Sequence, residues 1–216
     1  DIKDLKVSGN VTGNSYTGIL VGFAQGGIFS NIEVDGTASC TTSGGSVGGM
    51  IGRAAGADID NVLSKADVSA ATCQVVGGLV GSNDNSDIDF SGATGDVLGD
   101  FDVGGLFGSG GYNGGILSEV YATGDVTAIA TRAGGLIGEF TRGDLSKSYS
   151  TGTVTAGNTA GVSYAGGLIG TFDTSTSTEN IDDCYSLSDV FATGDSVGGL
   201  IGYVDTNGTK TINRSW

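Results

Sequence analysis

Histidine and proline are missing from these 216 residues. Without histidine there is no Ser-His-Asp triad, no Cys-His dyad and no histidine-ligated zinc. Without proline, nothing interrupts a ladder of strand hydrogen bonds. Basic residues are scarce, nine against 24 acidic ones, for a net charge of −15. Such a surface repels a phosphate backbone and an anionic bilayer, so nucleic acid is not an expected partner. No apolar run approaches membrane-spanning length, which argues against membrane insertion, and Asp1-Ile2-Lys3-Asp4 is not a signal peptide. The chain reads as a piece of something longer or as a mature product. Glycine is abundant, at 42 residues, yet has no Gly-X-Y period, so collagen is excluded.

What is there is a repeat. Val197-Gly198-Gly199-Leu200-Ile201-Gly202 is one of seven near-copies, whose final glycines are Gly22, Gly52, Gly81, Gly108, Gly138, Gly170 and Gly202. Their spacing of 27 to 32 residues marks a repeat architecture. Each repeat opens on an apolar residue: Ile2, Phe29, Ile59, Ile88, Leu117, Leu145 and Ile181, with Ile212 beginning an eighth. Numbering each opening residue as position zero, positions three, five and nine are apolar or small in almost every copy and read as inward-facing ladders. Position seven is Gly, Ala or Ser, a place where bulk is excluded and a turn is expected.

The segments are rich in Val, Ile, Thr and Tyr, and no helical period is sustained. About 30 residues cannot bury their own apolar side, so coils must stack. The expected fold is all-β: a parallel β-solenoid (β-helix), right-handed, of seven coils plus a partial eighth, forming a single domain over residues 1–216. Like residues then lie over like, roughly 4.8 Å apart.

Gly-Gly-Leu-x-Gly repeats following Tyr-Ser-Thr-Gly-x-Val-Thr, as in Tyr149 to Thr155 and Tyr121 to Thr127, resemble the GLUG motif of bacterial surface proteins. Those proteins include filamentous-haemagglutinin-like adhesins and IgA-specific metallopeptidases. The resemblance covers all seven repeats, although Ile19 replaces the usual second glycine in the first. It implies an extracellular, bacterial cell-surface setting. The peptidases keep their zinc motif outside such repeats, and nothing in this chain matches it.

Several constellations could carry function. Asp58 and Asp60 flank inward Ile59, and Asp87 and Asp89 flank inward Ile88, so alternation puts all four carboxylates outward on adjacent coils. The plain reading is a solvated face. The sharper ones are a Ca²⁺ site or the paired carboxylates of a sugar-cleaving β-helix enzyme. Asp67, Asp96, Asp125 and Asp189 form a second acidic column at position eight, read as turn caps. Position four becomes aromatic late in the chain, at Tyr121, Tyr149, Tyr185 and Trp216, as a sugar platform or a structural ladder. Arg142-Gly143-Asp144 spells an integrin-type tripeptide in an expected loop, read as coincidence. Thr-x-Thr rows of the ice-binding kind are broken by Leu98 and Phe191. The variable loops Asp173 to Asn180 and Asp205 to Thr211 are places for recognition. Cys40 and Cys73 occupy corresponding corners of neighbouring coils and are placed for a disulfide, whereas Cys184 reads as a buried free thiol.

Together these features favour a non-catalytic surface module, a rigid stalk or adhesive face, that requires no cofactor beyond an optional Ca²⁺. Its expected partner is a host or neighbouring-cell surface protein or glycan. Uncapped strand edges would also permit end-to-end self-association. The alternative is a carbohydrate-active enzyme using the acidic quartet.

Overall fold

The structure is a computed structural model that describes residues 1–110, 115–159, 161–173, 178–194, 196–205 and 207–216. It is a parallel β-solenoid of about seven turns, each of about 29 residues. Three faces run its length. The long face is a 17-stranded sheet, which starts with the continuous strands Ile2–Gly13 and Ile28–Cys40 and then breaks into shorter pieces such as Gly115–Ser118, Tyr121–Ala122 and Val126–Ala128. A second face of seven strands runs from Tyr16–Thr17 to Ser196–Gly198, and a third from Val21–Gln25 to Ile201–Val204. The glycine motif is the corner between the second and third faces.

The register follows the repeat. Ile59, Ile88, Leu117, Leu145 and Ile181 pair in succession, and all are fully buried. Positions three, five and nine also point inward: Ile32, Val62 and Val120 in the first column, Val34, Ala93 and Ala122 in the second, Val68, Val97, Val126 and Val154 in the third. Successive strand residues alternate faces, so position zero and position three cannot both face inward on a regular strand. The extra residue is absorbed at position two, which is left-handed in all eight coils: Asp4, Asn31, Asn61, Phe90, Glu119, Lys147, Asp183 and Arg214, with φ between 45° and 56°. The turn expected at position seven is present as a bend at Gly95, Gly124 and Gly152, whereas the strand runs through Gly9 and Gly36. At position seven only Gly36 and Gly152 are left-handed. Bulk is excluded there because the preceding coil's carbonyl lies against the chain, as Gly95 O does against Gly124.

The left-handed residue interrupts the backbone ladder, and buried serines repair it. Ser91 Oγ accepts from the Val62 amide at 3.0 Å and donates to Asp89 O at 2.6 Å. Ser148 does the same between the Val120 amide, 3.2 Å, and Ser146 O, 2.6 Å. Ser215 repeats it at the Cys184 amide, 3.2 Å, and Asn213 O, 2.7 Å. Ser148→Ala should leave a buried amide unpaired and cost about 1–3 kcal/mol, read as a lower denaturant midpoint at unchanged slope.

Cys40 and Cys73 are joined by a disulfide across 33 residues, which ties a corner of the second coil to that of the third. Cys184 is a free, fully buried thiol whose pKa burial pushes up to about 11. It packs as a small hydrophobe rather than acting as a nucleophile.

Candidate functional site

Two surfaces gather side chains. The first is the outer side of the long face, where position two and position four project side by side. Position two forms a ladder of its own. Asn31 Nδ2 donates to Asp4 Oδ1 and Asn61 Nδ2 donates to Asn31 Oδ1, both at 2.8 Å. Farther along, Lys147 pairs with Glu119 at 3.2 Å and Arg214 with Asp183 at 2.5 Å. Phe90 stands between these two runs. Beside it, position four begins with Lys6 and Glu33, and Lys65 from position six of the third coil completes a bridge: Glu33 accepts from Lys6 at 3.0 Å and from Lys65 at 2.7 Å. Hydrogen bonds from Lys65, then from Lys6, hold the Glu33 carboxyl below the usual range.

Position four continues as an aromatic stack. Tyr121 and Tyr149 lie 5.5 Å apart, Tyr149 and Tyr185 5.1 Å, and Tyr185 and Trp216 5.6 Å, with interplanar angles of 12° or less. The rings lie on one another, and Tyr121 also covers Gly92. Their faces are consumed by the stack, so Tyr121, Tyr149 and Tyr185 offer a ligand edges and hydroxyls rather than a flat platform. Where the stack begins, a groove of about 480 Å³ opens between the two columns, with Asn31, Glu33, Asn61, Leu63, Phe90 and Tyr121 in its walls.

The second surface is the cleft outside the glycine corner. Arg132 Nη1 bridges Asp102 Oδ1 at 2.6 Å and Glu139 Oε1 at 3.4 Å, and Ser109 Oγ donates to Glu139 Oε2 at 2.9 Å. Burial, aided by Glu139 and opposed by Arg132, pushes Asp102 up to about 6. Tyr164 and Tyr203 close one end of the cleft, 5.0 Å apart. At the other end Arg53 bonds Asp84 at 2.6 Å and lies over the Tyr16 and Phe23 rings. The clue to this cluster was in the sequence: Arg132, two residues before a glycine motif, is one of only nine basic residues.

The acidic quartet is paired in register, Asp58 with Asp87 and Asp60 with Asp89. Burial foremost, then Asp87, Asp60 and Asp58, raises the Asp89 pKa. Asp87 is already engaged, its Oδ1 accepting from the Ile116 amide at 2.8 Å. Among the described residues, no three acidic or thiol groups converge as a metal ion requires. The four carboxylates form two flat rows rather than a cage of oxygens around one point.

Of the position-eight acids, Asp67, Asp96 and Asp125 do not cap their own turns. These three of the four accept from the next coil: Asp67 from the Asp96 amide at 3.0 Å, Asp96 from Asp125 at 2.9 Å, and Asp125 from Thr153 at 2.7 Å. Of the Arg142-Gly143-Asp144 tripeptide, only Arg142 lies in the expected loop, at a bend. Gly143–Ser146 is a strand, and Asp144 Oδ1 accepts from the Asn180 amide at 3.0 Å, so that carboxylate is spent between coils. Of the loops expected to recognise partners, residues 174–177 and residue 206 lie outside the described residues.

No family model matches the chain, so its GLUG-like repeats are not supported at the level of a family. No solved structure matches it. The chain is similar to halomucin of Haloquadratum walsbyi, 40% identical over 134 residues that cover 53% of this chain and 2% of that protein. That relative is archaeal, so the bacterial setting implied by the motif is not carried with it. The chain is a β-solenoid repeat that resembles part of a large surface glycoprotein and spans a small fraction of its length.

Proposed function

We propose that this chain is a non-catalytic, extracellular segment of a cell-surface protein, a rigid spacer that presents the groove at the head of the tyrosine stack to a partner on another surface. The observation that carries this reading is the coil-to-coil register of the long face from Ile2 to Asn213, which sets Asn31, Glu33, Asn61, Leu63 and Tyr121 of the groove walls on strands and Phe90 in the bend between two of them. The likeness to a surface glycoprotein supports the location, as does a disulfide, which belongs to oxidising compartments. Catalysis by the acidic quartet is disfavoured because its rows lie flat, with Asp87 committed to a backbone amide. No resident cofactor is needed in this reading, and the acidic rows attract cations such as Ca²⁺ diffusely. Half-exposed Val197, Val204 and Ile212 at the last coil provide an apolar end on which a further copy would stack.

A solid-phase screen against polysaccharides, matrix proteins and glycoproteins tests the reading, run in Ca²⁺ and in chelator. We expect saturable binding in both buffers with the ligand recovered intact. Cleavage of any polysaccharide at a rate that scales with protein, and is lost in the Asp58, Asp60, Asp87, Asp89 quadruple Ala variant, would replace it with the enzyme reading.

A further inference from the structure

Phe90 breaks the rules of its own column. Bulky side chains are rare in the left-handed region, where the strain is of order 1–3 kcal/mol. Phe90 adopts it at φ 47° and leaves 57% of its surface in water. The other seven residues at position two are Asp, Asn, Glu, Lys or Arg, and each bonds a neighbour in the column. An asparagine in place of Phe90 would suit the backbone and extend the amide ladder. The native residue does neither: the coil register imposes the left-handed backbone, and the Phe90 side chain adds no bond to its column. A strained, exposed aromatic that serves nothing in its own column is what a binding position looks like.

The surroundings say what would bind. The charged groups in and beside the groove balance, Lys6 and Lys65 against Glu33 and Asp4, and each already holds a bond to a neighbouring coil, so nothing there favours an ionic ligand. Backbone amides and carbonyls of the long face are taken up between coils, so an extended peptide has no edge to pair with along it. What remains is an exposed aromatic face at Phe90, apolar Leu63, the Tyr121 edge and the Asn61 carboxamide. Asn61 Oδ1 faces a coil that supplies no amide at position two, because Phe90 stands there. An aromatic face beside a spare amide acceptor suits a ring with apolar C–H faces and equatorial hydroxyls.

We propose that Phe90, with Asn61 and Tyr121, forms a stacking subsite for a neutral pyranose ring, the terminal or internal sugar of a glycan. This rests on the reading of the groove as the presented surface, and it names that surface's ligand class. The sugar's apolar face lies on the Phe90 ring, a hydroxyl donates to Asn61 Oδ1, and a second contacts the Tyr121 hydroxyl.

Saturation-transfer NMR with the methyl glycosides of glucose, galactose and mannose, together with solid-phase binding of dextran and mannan, tests the subsite. Wild-type protein should give saturable transfer to at least one of these. Phe90→Asn should weaken it at least about tenfold while raising the melting temperature by about 2–4 °C, because strain is relieved. Phe90→Tyr should keep binding. Unchanged binding in Phe90→Asn overturns the subsite and leaves the groove reading standing. Failure of every neutral sugar, with a protein partner captured in the solid-phase screen, overturns the sugar assignment alone. Failure of all ligands in both assays overturns both.

Discussion

Gly134→Ala should unfold the middle of the solenoid, whereas Gly9→Ala should be almost neutral. At the corner between the second and third faces, a Cβ on Gly134 would be driven into the carbonyl oxygen of Ile137 and lie 2.6 Å from the Gly170 amide nitrogen. Both obstacles are backbone. They cannot step aside without breaking the corner bonds from the amides of Leu136 and Ile137 to Leu168 O, 2.9 and 3.0 Å. Because each coil supports only its neighbours, the damage spreads to both sides. We expect a loss of at least about 3 kcal/mol or failure to accumulate folded protein. A Cβ on Gly9 meets nothing within 4 Å, so Gly9→Ala should stay within about 0.5 kcal/mol. Chemical denaturation of the two variants side by side separates a steric corner from a general intolerance of alanine. Equal loss in both would refute the steric account.

Removing Arg132 should have the second largest effect, and a pH dependence of known sign. Arg132 holds Asp102 and Glu139 together in a partly buried cleft, with side chains 30%, 13% and 18% exposed. Arg132→Met keeps much of the volume and strands two carboxylates beside each other, a cost of about 3–5 kcal/mol at neutral pH. In the wild type, Asp102 ionises near 6 when folded, above its unfolded value. Its favourable contribution is therefore complete below about pH 4 and disappears as the pH rises through about 6, a swing of roughly 3 kcal/mol. Without Arg132 the folded value climbs further and the loss extends to higher pH. Denaturant midpoints measured from pH 4 to 7 should fall more steeply for Arg132→Met than for wild type. Asp102→Asn should remove this part of the pH dependence. Parallel profiles for all three proteins would show that the cleft charges do not interact.

Much of the fold was legible because a solenoid is a translation written along the chain. Residues about 30 apart must stack, so Ile59 over Ile88 over Leu117, Cys40 beside Cys73, and the Tyr121-Tyr149-Tyr185 column could all be aligned by counting. Counting also contained a clue that went unused: the single odd step from position zero to position three demands a left-handed residue, which the structure places at position two. Residue type hid it, since Phe90, Lys147 and Arg214 do not look like turn formers.

The all-β repeat, the inward ladders and the acidic, histidine-free composition follow from the order of residues, because each depends on spacing or composition alone. How the outward groups are used follows from the folded coils. Folding set Asp67, Asp96, Asp125 and Asp144 on the next coil's amides, and turned the tyrosine faces onto one another. It also brought Asp102, Arg132 and Glu139 into one cleft and left Phe90 strained beside an open groove. The physical reason is closure: stacking is set by the repeat, but which side chains meet across a corner depends on the backbone angles at a few residues per coil.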